Sequence, residues 1–206
     1  EGVKIKRKID DRRGESLITS FQGLLCHDLG EDTRALKLGQ QALAIAQKID
    51  TAPVQAYALT AVAHAQTGLG QFEAATDAYR QALAIRREMG QHNLAMEVIA
   101  GLARVALMQD DLDQAQAHVD DILHYLDKDT LKNVLDGALA PSLVYLTCYQ
   151  VLNANQHPRA EEILETAYQH LQARAAKISP PELRHSFLHE VPSHAQLVRA
   201  WEIETS

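Results

Sequence analysis

Three histidines near the C-terminal end have types and spacing that could bind a metal ion. His185 and His189 are four residues apart, so a helix would place both imidazoles on one face, and His194 follows closely. The glutamate of the HExxH zinc motif is misplaced, because Glu190 comes after the second histidine. We therefore predict exposed or helix-capping histidines. We predict no metal and no other cofactor, and keep a metal-dependent enzyme as an alternative.

Other patterns that carry chemistry are incomplete or missing from the sequence. The run Asp110-Asp111-Leu112-Asp113 lacks the glycine and the closing glutamate of a calcium loop, and a turn followed by helix N-terminal charge explains it better. The sequence contains no phosphate-binding loop, no GxSxG elbow and no GxGxxG motif. No nucleophile–base pair has a diagnostic spacing. We predict no catalytic residue, and hence that the chain is not an enzyme.

Composition excludes several classes of partner. The net charge of −7 argues against a general nucleic-acid surface, and the basic cluster Lys4-Ile5-Lys6-Arg7-Lys8 is expected to be a solvated helix end. No run approaches the roughly 18 apolar residues of a membrane span. Cys26 and Cys148 lie in apolar stretches of different repeats, which indicates two reduced, buried thiols and a cytoplasmic protein.

The elements that would position any site repeat every 40 residues. Small residues mark corresponding positions in four units, and the last step is 45 residues: Ala35, Ala75, Ala115 and Ala160. Small or apolar residues follow seven positions later: Ala42, Ala82, Ile122 and Ala167. Turn-compatible residues precede the first set by five positions: Gly30, Gly70, Asp110 and Asn155. Small residues recur seven positions before those turns: Gly23, Ala63, Ala103 and Cys148.

This spacing predicts a helix, a tight turn and a second helix in each unit. Small side chains let two helices approach closely, and a seven-residue interval keeps them on one face. Ala, Leu, Gln and Glu are abundant, and few segments are rich in β-branched residues, so the fold class is all-α. A fixed period of this size is typical of a solenoid. Because the repeat is already under way at residue 1, we expect the chain to be part of a longer array.

The pattern resembles the tetratricopeptide repeat. The stretch from Gly70 to Ala75, followed by Tyr79, Ala82 and Leu83, matches the consensus of that family. The resemblance covers about residues 12–174. It implies a right-handed α-solenoid of antiparallel helix pairs, of the longer variety found in kinesin light chains and large bacterial signalling regulators. A HEAT-type array, whose period also spans about 40 residues, is the alternative on length.

The predicted organisation has two parts. Repeats occupy 1–178, and the final segment 179–206 forms C-terminal capping helices. Within the first part, the end of a truncated repeat lies at 1–10 and the remaining repeats at 12–50, 51–90, 91–128 and 129–178, with a short helix or irregular link within 129–140. Ser179 with Glu182, and Ser193 with Gln196, form predicted capping boxes. The expected buried anchors of the cap are Phe187, Leu188, Leu197 and Trp201.

A second resemblance concerns the C-terminal third of the chain. The run Leu143–Leu152, then Pro158-Arg159-Ala160, the run Phe187–His194 and Ala200-Trp201 are similar to the end of the repeat region in large multidomain bacterial regulators. Such proteins place a nucleotide-binding signalling ATPase of the STAND type, a cyclase or a kinase ahead of the repeats. The resemblance covers about 136–201 and implies a sensor or scaffold within a signal-transduction or transcription regulator.

The tetratricopeptide resemblance also implies a ligand groove, because the first helix of each unit lines the concave face in that family. The positions that contact ligands there correspond to His27, Asp28, Tyr57, Thr60, His64, Thr67, Glu97, Arg104, Tyr145, Tyr149 and Asn153. Leu17, Ser20, Leu24 and Leu107 share these positions, and of these Leu24 and Leu107 in particular are expected to pack. The mixture of Tyr, His, Arg and Thr suits a peptide, a protein or a small polar effector.

Two partner hypotheses follow. The chain binds a protein, a peptide or an effector in this groove, or it self-associates as a homo-oligomer through apolar residues such as Val3 and Ile5. The family's clamp for acidic chaperone tails uses Lys, Arg and Asn, and only Arg104 and Asn153 match it. That ligand is therefore not expected.

Overall fold

The computed structural model describes residues 2–128, 135 and 138–205, and within these ranges the chain forms eleven α-helices and no β-strand. The helices are α1 Gly2–Lys8, α2 Arg12–Asp28, α3 Asp32–Lys48, α4 Ala52–Gly68, α5 Phe72–Glu88, α6 His92–Met108, α7 Leu112–Lys128, α8 Pro141–Ala154, α9 Ala160–Ala175, α10 Pro181–His189 and α11 Pro192–Glu204. The predicted all-α class is confirmed. Most of the predicted link within 129–140 lies outside the described residues.

The turns between the helices recur with a period of 20 residues. The six turns from α1–α2 to α6–α7 each have one residue with positive φ, between 47° and 75°: Asp10, Gly30, Asp50, Gly70, Gly90 and Asp110. At the end of α2, Gly30 N–H donates to His27 O and Glu31 N–H donates to Cys26 O, both at 2.8 Å. This is the Schellman arrangement, in which a left-handed residue lets the last carbonyls of a helix find donors. Gly and Asp are among the residue types that adopt this conformation most readily. The residue type at each turn therefore sets where one helix of the repeat ends.

The last turn of the repeat series is displaced by one residue from its predicted place. The left-handed residue is Gln156, with φ of 52°, whereas Asn155 is the C-cap of α8. The Asn155 side chain instead reaches α7, where its Nδ2 donates to Gln116 Oε1 at 3.0 Å. Asparagine is turn-compatible, but its amide is used here to join two helices.

The predicted capping boxes of the two final helices are wrong. The residues that precede α10 and α11 are Pro180 and Val191, neither of which carries a polar side chain. Ser193 lies within the first turn of α11. Pro181 and Pro192 begin these helices, because the fixed φ of proline suits the first helical position and its missing N–H has no helical acceptor there.

The chain divides into two compact units, Glu1–Gly101 and Leu102–Ser206, and the division falls within α6. In the first unit α2 packs on α1, α3 and α4, α3 packs on α4, and α4 packs on α5. Ala35, Ala42, Ala75 and Ala82 are fully buried, as the spacing of small residues predicts. A Cβ at Gly39 would lie 3.0 Å from the Val62 backbone nitrogen, so α3 and α4 approach closely only because residue 39 has no side chain.

In the second unit α8 packs on α7 and α9, and α11 covers α8 and α9. Short α10 contacts α9 and α11. Leu197 is fully buried, while Trp201 is partly buried and stacks on Tyr168 of α9 with ring centroids 4.8 Å apart. Phe187 and Leu188 are half-buried. None of the described helices combines the length and apolar composition needed to cross a membrane.

Candidate functional site

An aromatic pair lies on α2 and α4 of the first unit, each of which is the first helix of its repeat. Phe21 of α2 and Tyr57 of α4 meet edge to face, with ring centroids 5.7 Å apart and an interplanar angle of 77°. Phe21 is 36% exposed, Tyr57 is half-buried, and Leu25, one turn after Phe21, is 62% exposed. We call these three residues the Phe21–Tyr57 surface. Partly exposed aromatic rings supported by neighbouring helices provide large contact area at low entropic cost.

A buried arginine supports this surface from a second helix. Arg86 of α5 is 2% exposed, and its guanidinium carbon lies 4.0 Å from the centroid of the Tyr57 ring. Its Nη1 donates to Gln91 Oε1 at 2.6 Å, while its Nε finds no acceptor among the described residues. Burial lowers the pKa of Arg86. Tyr57 and Glu97 partly compensate by stabilising the charge.

The two histidines predicted to contact a ligand in this unit belong to an internal network. His64 is 3% exposed, its Nδ1 lies 3.0 Å from the Tyr79 hydroxyl, and its ring stacks on that of His27 at 5.4 Å. His27 Nδ1 lies 2.5 Å from Asp32 Oδ1. The network therefore joins all four helices from α2 to α5. These imidazoles bind neighbouring side chains of the same unit.

The predicted threonines are buried and bonded within their own helix. Thr60 donates its hydroxyl hydrogen to Ala56 O, and Thr67 donates to Ala63 O, both at 2.8 Å. Hydroxyls that bond the carbonyl four residues earlier are a common way to satisfy a polar group inside a packed helix. Glu97 is likewise buried, whereas Asp28 is exposed.

The predicted residues of the second unit also contact their own neighbours. Tyr145 stacks on His170 of α9 with centroids 5.6 Å apart. Tyr149 donates its hydroxyl hydrogen to Glu204 Oε1 of α11 at 3.1 Å, and burial together with that carboxylate raises the pKa of Tyr149. Arg104 is half-buried and Asn153 is exposed.

The eleven predicted groove residues are thus distributed over both units. Seven lie in the first unit: His27, Asp28, Tyr57, Thr60, His64, Thr67 and Glu97. Four lie in the second: Arg104, Tyr145, Tyr149 and Asn153. Five of the eleven are exposed or half-buried: His27, Asp28, Tyr57, Arg104 and Asn153. Two residues of the site are absent from the family's ligand-contact positions. Phe21 directly follows such a position, Ser20, and Arg86 lies on α5, which is the second helix of its repeat.

The metal alternative lacks a ligand set. The rings of His185 and His189 are 4.6 Å apart, but among the described residues no group of three or more His, Cys, Asp or Glu side chains is placed to hold a metal ion. His194 is buried and its Nδ1 lies 2.8 Å from Phe187 O. It therefore joins α11 to α10.

Both cysteines are free and buried. Burial raises the pKa of the Cys148 thiol to about 12, so it stays protonated at neutral pH. Because the thiolate is the reactive form, this side chain is chemically inert.

Comparisons with known proteins agree with this helical architecture. A family model of the tetratricopeptide repeat matches residues 15–88. Among solved structures, BtubC (BKLC) from P. vanneervenii aligns with a TM-score of 0.63 at 17% identity, covering 99% of this chain and 87% of that one. Nearly identical TPR-like repeats from Podosopora anserina, assigned as a kinesin light chain, align with a TM-score of 0.56 at 19% identity, covering 91% of this chain and 95% of that one.

No curated protein matches the sequence. At these identities the solved structures show the fold alone, and the family match covers little more than a third of the chain. The fold is that of a tetratricopeptide-like array of helix pairs.

Proposed function

We propose that this chain is a protein- or peptide-binding repeat module that acts as a sensor or scaffold within a larger bacterial signal-transduction or transcription regulator. Tetratricopeptide repeats generally mediate protein–protein interaction or scaffolding, and such modules are typically non-catalytic. The bacterial setting is supported by the sequence resemblance over 136–201, and the cytoplasmic setting by two free, buried cysteines. Catalysis, in this proposal, belongs to other parts of the parent protein.

The Phe21–Tyr57 surface is the observation that carries the proposal. Aromatic residues dominate the energetics of protein interfaces, and those that act as hot spots are held by their surroundings. Tyr57 meets this condition because Phe21 packs against it from one helix and Arg86 from another. The exposed Leu25 extends the surface by one helical turn. A partner with a complementary apolar side chain fits here.

The buried members of the predicted groove have a different role in this proposal. Thr60, His64 and Thr67 use their polar atoms within the unit, so they shape the first helices rather than contact a partner. His27, Asp28 and Tyr57 remain candidate contacts in the first unit, and Arg104 and Asn153 in the second.

The test is a peptide-display selection against the whole chain, followed by affinity measurement with fluorescein-labelled versions of the selected peptides. Replacing Phe21 and Tyr57 together by alanine is expected to weaken binding by about tenfold or more, as for paired interface aromatics. The matched control replaces Leu69 and Met89, which are 37% and 39% exposed, by alanine. Circular dichroism verifies that each variant is folded.

Unchanged affinity in the Phe21/Tyr57 variant would show that this surface is not the binding site. A second variant, Arg104→Ala with Asn153→Ala, tests the candidate contacts of the second unit. Loss of binding in that variant alone would move the site to the second unit.

Self-association remains the alternative, and exposed apolar residues favour it. Ile5 and Ile9 in and beside α1, and Leu29 at the end of α2, are more than half exposed. Apolar side chains clustered at a surface stabilise contacts with another molecule. Light scattering at several concentrations decides this alternative, because a strict monomer at every concentration is incompatible with it.

A further inference from the structure

We propose that Arg86 is a positioning residue of the Phe21–Tyr57 surface, which fixes the Tyr57 ring for binding. The inference rests on the proposed function and adds a residue outside the set of predicted groove positions. Three independent observations support it: the repeat, the burial of a charge, and the geometry around the ring.

The repeat shows that the scaffold does not require an arginine at this position. Forty residues before Arg86 stands Ala46, and forty residues after it stands Leu126. The 45-residue step of the last unit leads from Leu126 to Leu171. Ala46 and Leu171 are fully buried, and Leu126 is half-buried. In these three units an apolar side chain stands at this position, whereas the truncated first unit has Lys6, whose Nζ donates to Asp11 Oδ2.

The burial of Arg86 costs free energy that an apolar residue would not. A guanidinium has five N–H donors, and burying it leaves its Nε without an acceptor among the described residues. Burying a charge costs free energy unless its neighbours compensate it, and Tyr57 and Glu97 do so only in part. Packing alone therefore does not account for Arg86.

The geometry around the ring indicates what Arg86 contributes. Its guanidinium carbon lies 4.0 Å from the Tyr57 centroid, within cation–π distance, and Gln91 holds its Nη1 at 2.6 Å. Phe21 contacts the same ring from α2. Tyr57 is thereby held between two neighbours. A ring that is ordered before binding loses less conformational entropy when a partner packs on it.

The experiment compares Arg86→Leu, the residue type of positions 126 and 171, with Arg86→Lys and with a control. The control is Arg80→Leu, which changes an exposed arginine of the same helix. Thermal unfolding measures stability, and NMR spectra of tyrosine-labelled protein report on the Tyr57 ring. Binding is measured with a fluorescein-labelled peptide selected on the wild-type chain.

For Arg86→Leu we expect a Tyr57 ring signal that moves toward that of a disordered tyrosine and affinity about tenfold lower. The thermal midpoint should fall, because the buried Glu97 loses a compensating cation. Arg86→Lys is expected to restore part of the ring signal, because it keeps a cation at this position. Arg80→Leu is expected to leave all three measurements unchanged.

A lower midpoint with an unchanged Tyr57 signal would overturn the inference and make Arg86 a structural cation. An unchanged Tyr57 signal at wild-type stability would overturn it as well. Failure of the proposed function is distinguishable: peptides would then bind without depending on Phe21 and Tyr57, while the stability and ring measurements would still report on Arg86.

Discussion

The bond between Tyr79 and His64 gives a direct test of whether His64 serves the core or a ligand. The phenol oxygen lies 3.0 Å from His64 Nδ1, and the two residues are 0% and 3% exposed. The perturbation is Tyr79→Phe, which removes only the hydroxyl. His64→Phe removes the other partner while keeping a planar ring against His27, and the double variant removes both.

The expected magnitude follows from burial. A neutral hydrogen bond contributes about 1 kcal/mol net, and a buried polar group deprived of its partner costs about 1–3 kcal/mol. Tyr79→Phe should therefore lower the free energy of unfolding by about 1–2 kcal/mol. His64→Phe should cost at least as much, because it takes the imidazole away from a buried phenol. The double variant should cost less than the sum of the two, with a coupling energy of about 1 kcal/mol.

The assay is urea unfolding of the whole chain followed by circular dichroism. With urea m-values of about 1–3 kcal/mol/M, the Tyr79→Phe loss corresponds to a midpoint shift of roughly 0.3–2 M. Trp201 lies in the second unit, so its fluorescence provides an internal reference for that unit. Because His64 is buried, the double variant should bind the selected peptides as tightly as the wild-type chain.

Additive effects of the two single substitutions would refute this reasoning, since they would show that the bond contributes nothing to the first unit. Loss of peptide binding in a stably folded double variant would contradict the structural role assigned to His64.

Three further predictions concern the turns, the helix packing and the acid range. Gly70→Ala should cost about 1–2 kcal/mol of stability, because its φ is +71° and no neighbouring atom compensates the backbone strain; the urea midpoint measures it. Gly39→Ala should cost about 1–3 kcal/mol, because the new Cβ would lie 2.9 Å from Val62 Cγ2, and hydrogen exchange of the first unit should increase. The guanidinium of Arg159 lowers the pKa of Asp127 in the folded state. The pair therefore stabilises the fold fully above the pKa of the unfolded carboxyl, about 3.9. This contribution is lost as the pH falls through the lower pKa of the folded state. Because the pair is largely exposed, Asp127→Asn should remove less than about 1 kcal/mol at pH 7, and unfolding curves of the variant should change less than wild type between pH 5 and pH 2.

The turns and the helix contacts were predictable because each depends on one local requirement. A left-handed turn residue restricts the choice largely to Gly, Asp and Asn, and a close helix contact restricts it to Gly and Ala. Gly30 and Gly70 show the first restriction in the sequence itself, and Ala75 shows the second. Gln156 was missed because glutamine is not a type that marks such a turn.

The polar residues of the first helices were less predictable. Positions taken from the family placed Thr60, His64 and Thr67 in a groove, but α4 is buried along most of its length. Threonine and histidine are compatible with both a binding face and a packed helix. Which one applies depends on the hydrogen-bond partner, and the partner of His64 is supplied by a different helix.

By itself, the sequence determined the all-α class, the 40-residue repeat of helix, turn and helix, and the small residues through which helices touch. It could do so because backbone conformation and close approach restrict residue type position by position. Only the tertiary structure decided which polar groups are exposed to a partner and which form hydrogen bonds inside the unit. Tyr57 and Arg86 lie on different helices, and no local pattern links them. They meet because the turn between α4 and α5 folds one helix back along the other, and their contact supports the surface that we propose for binding.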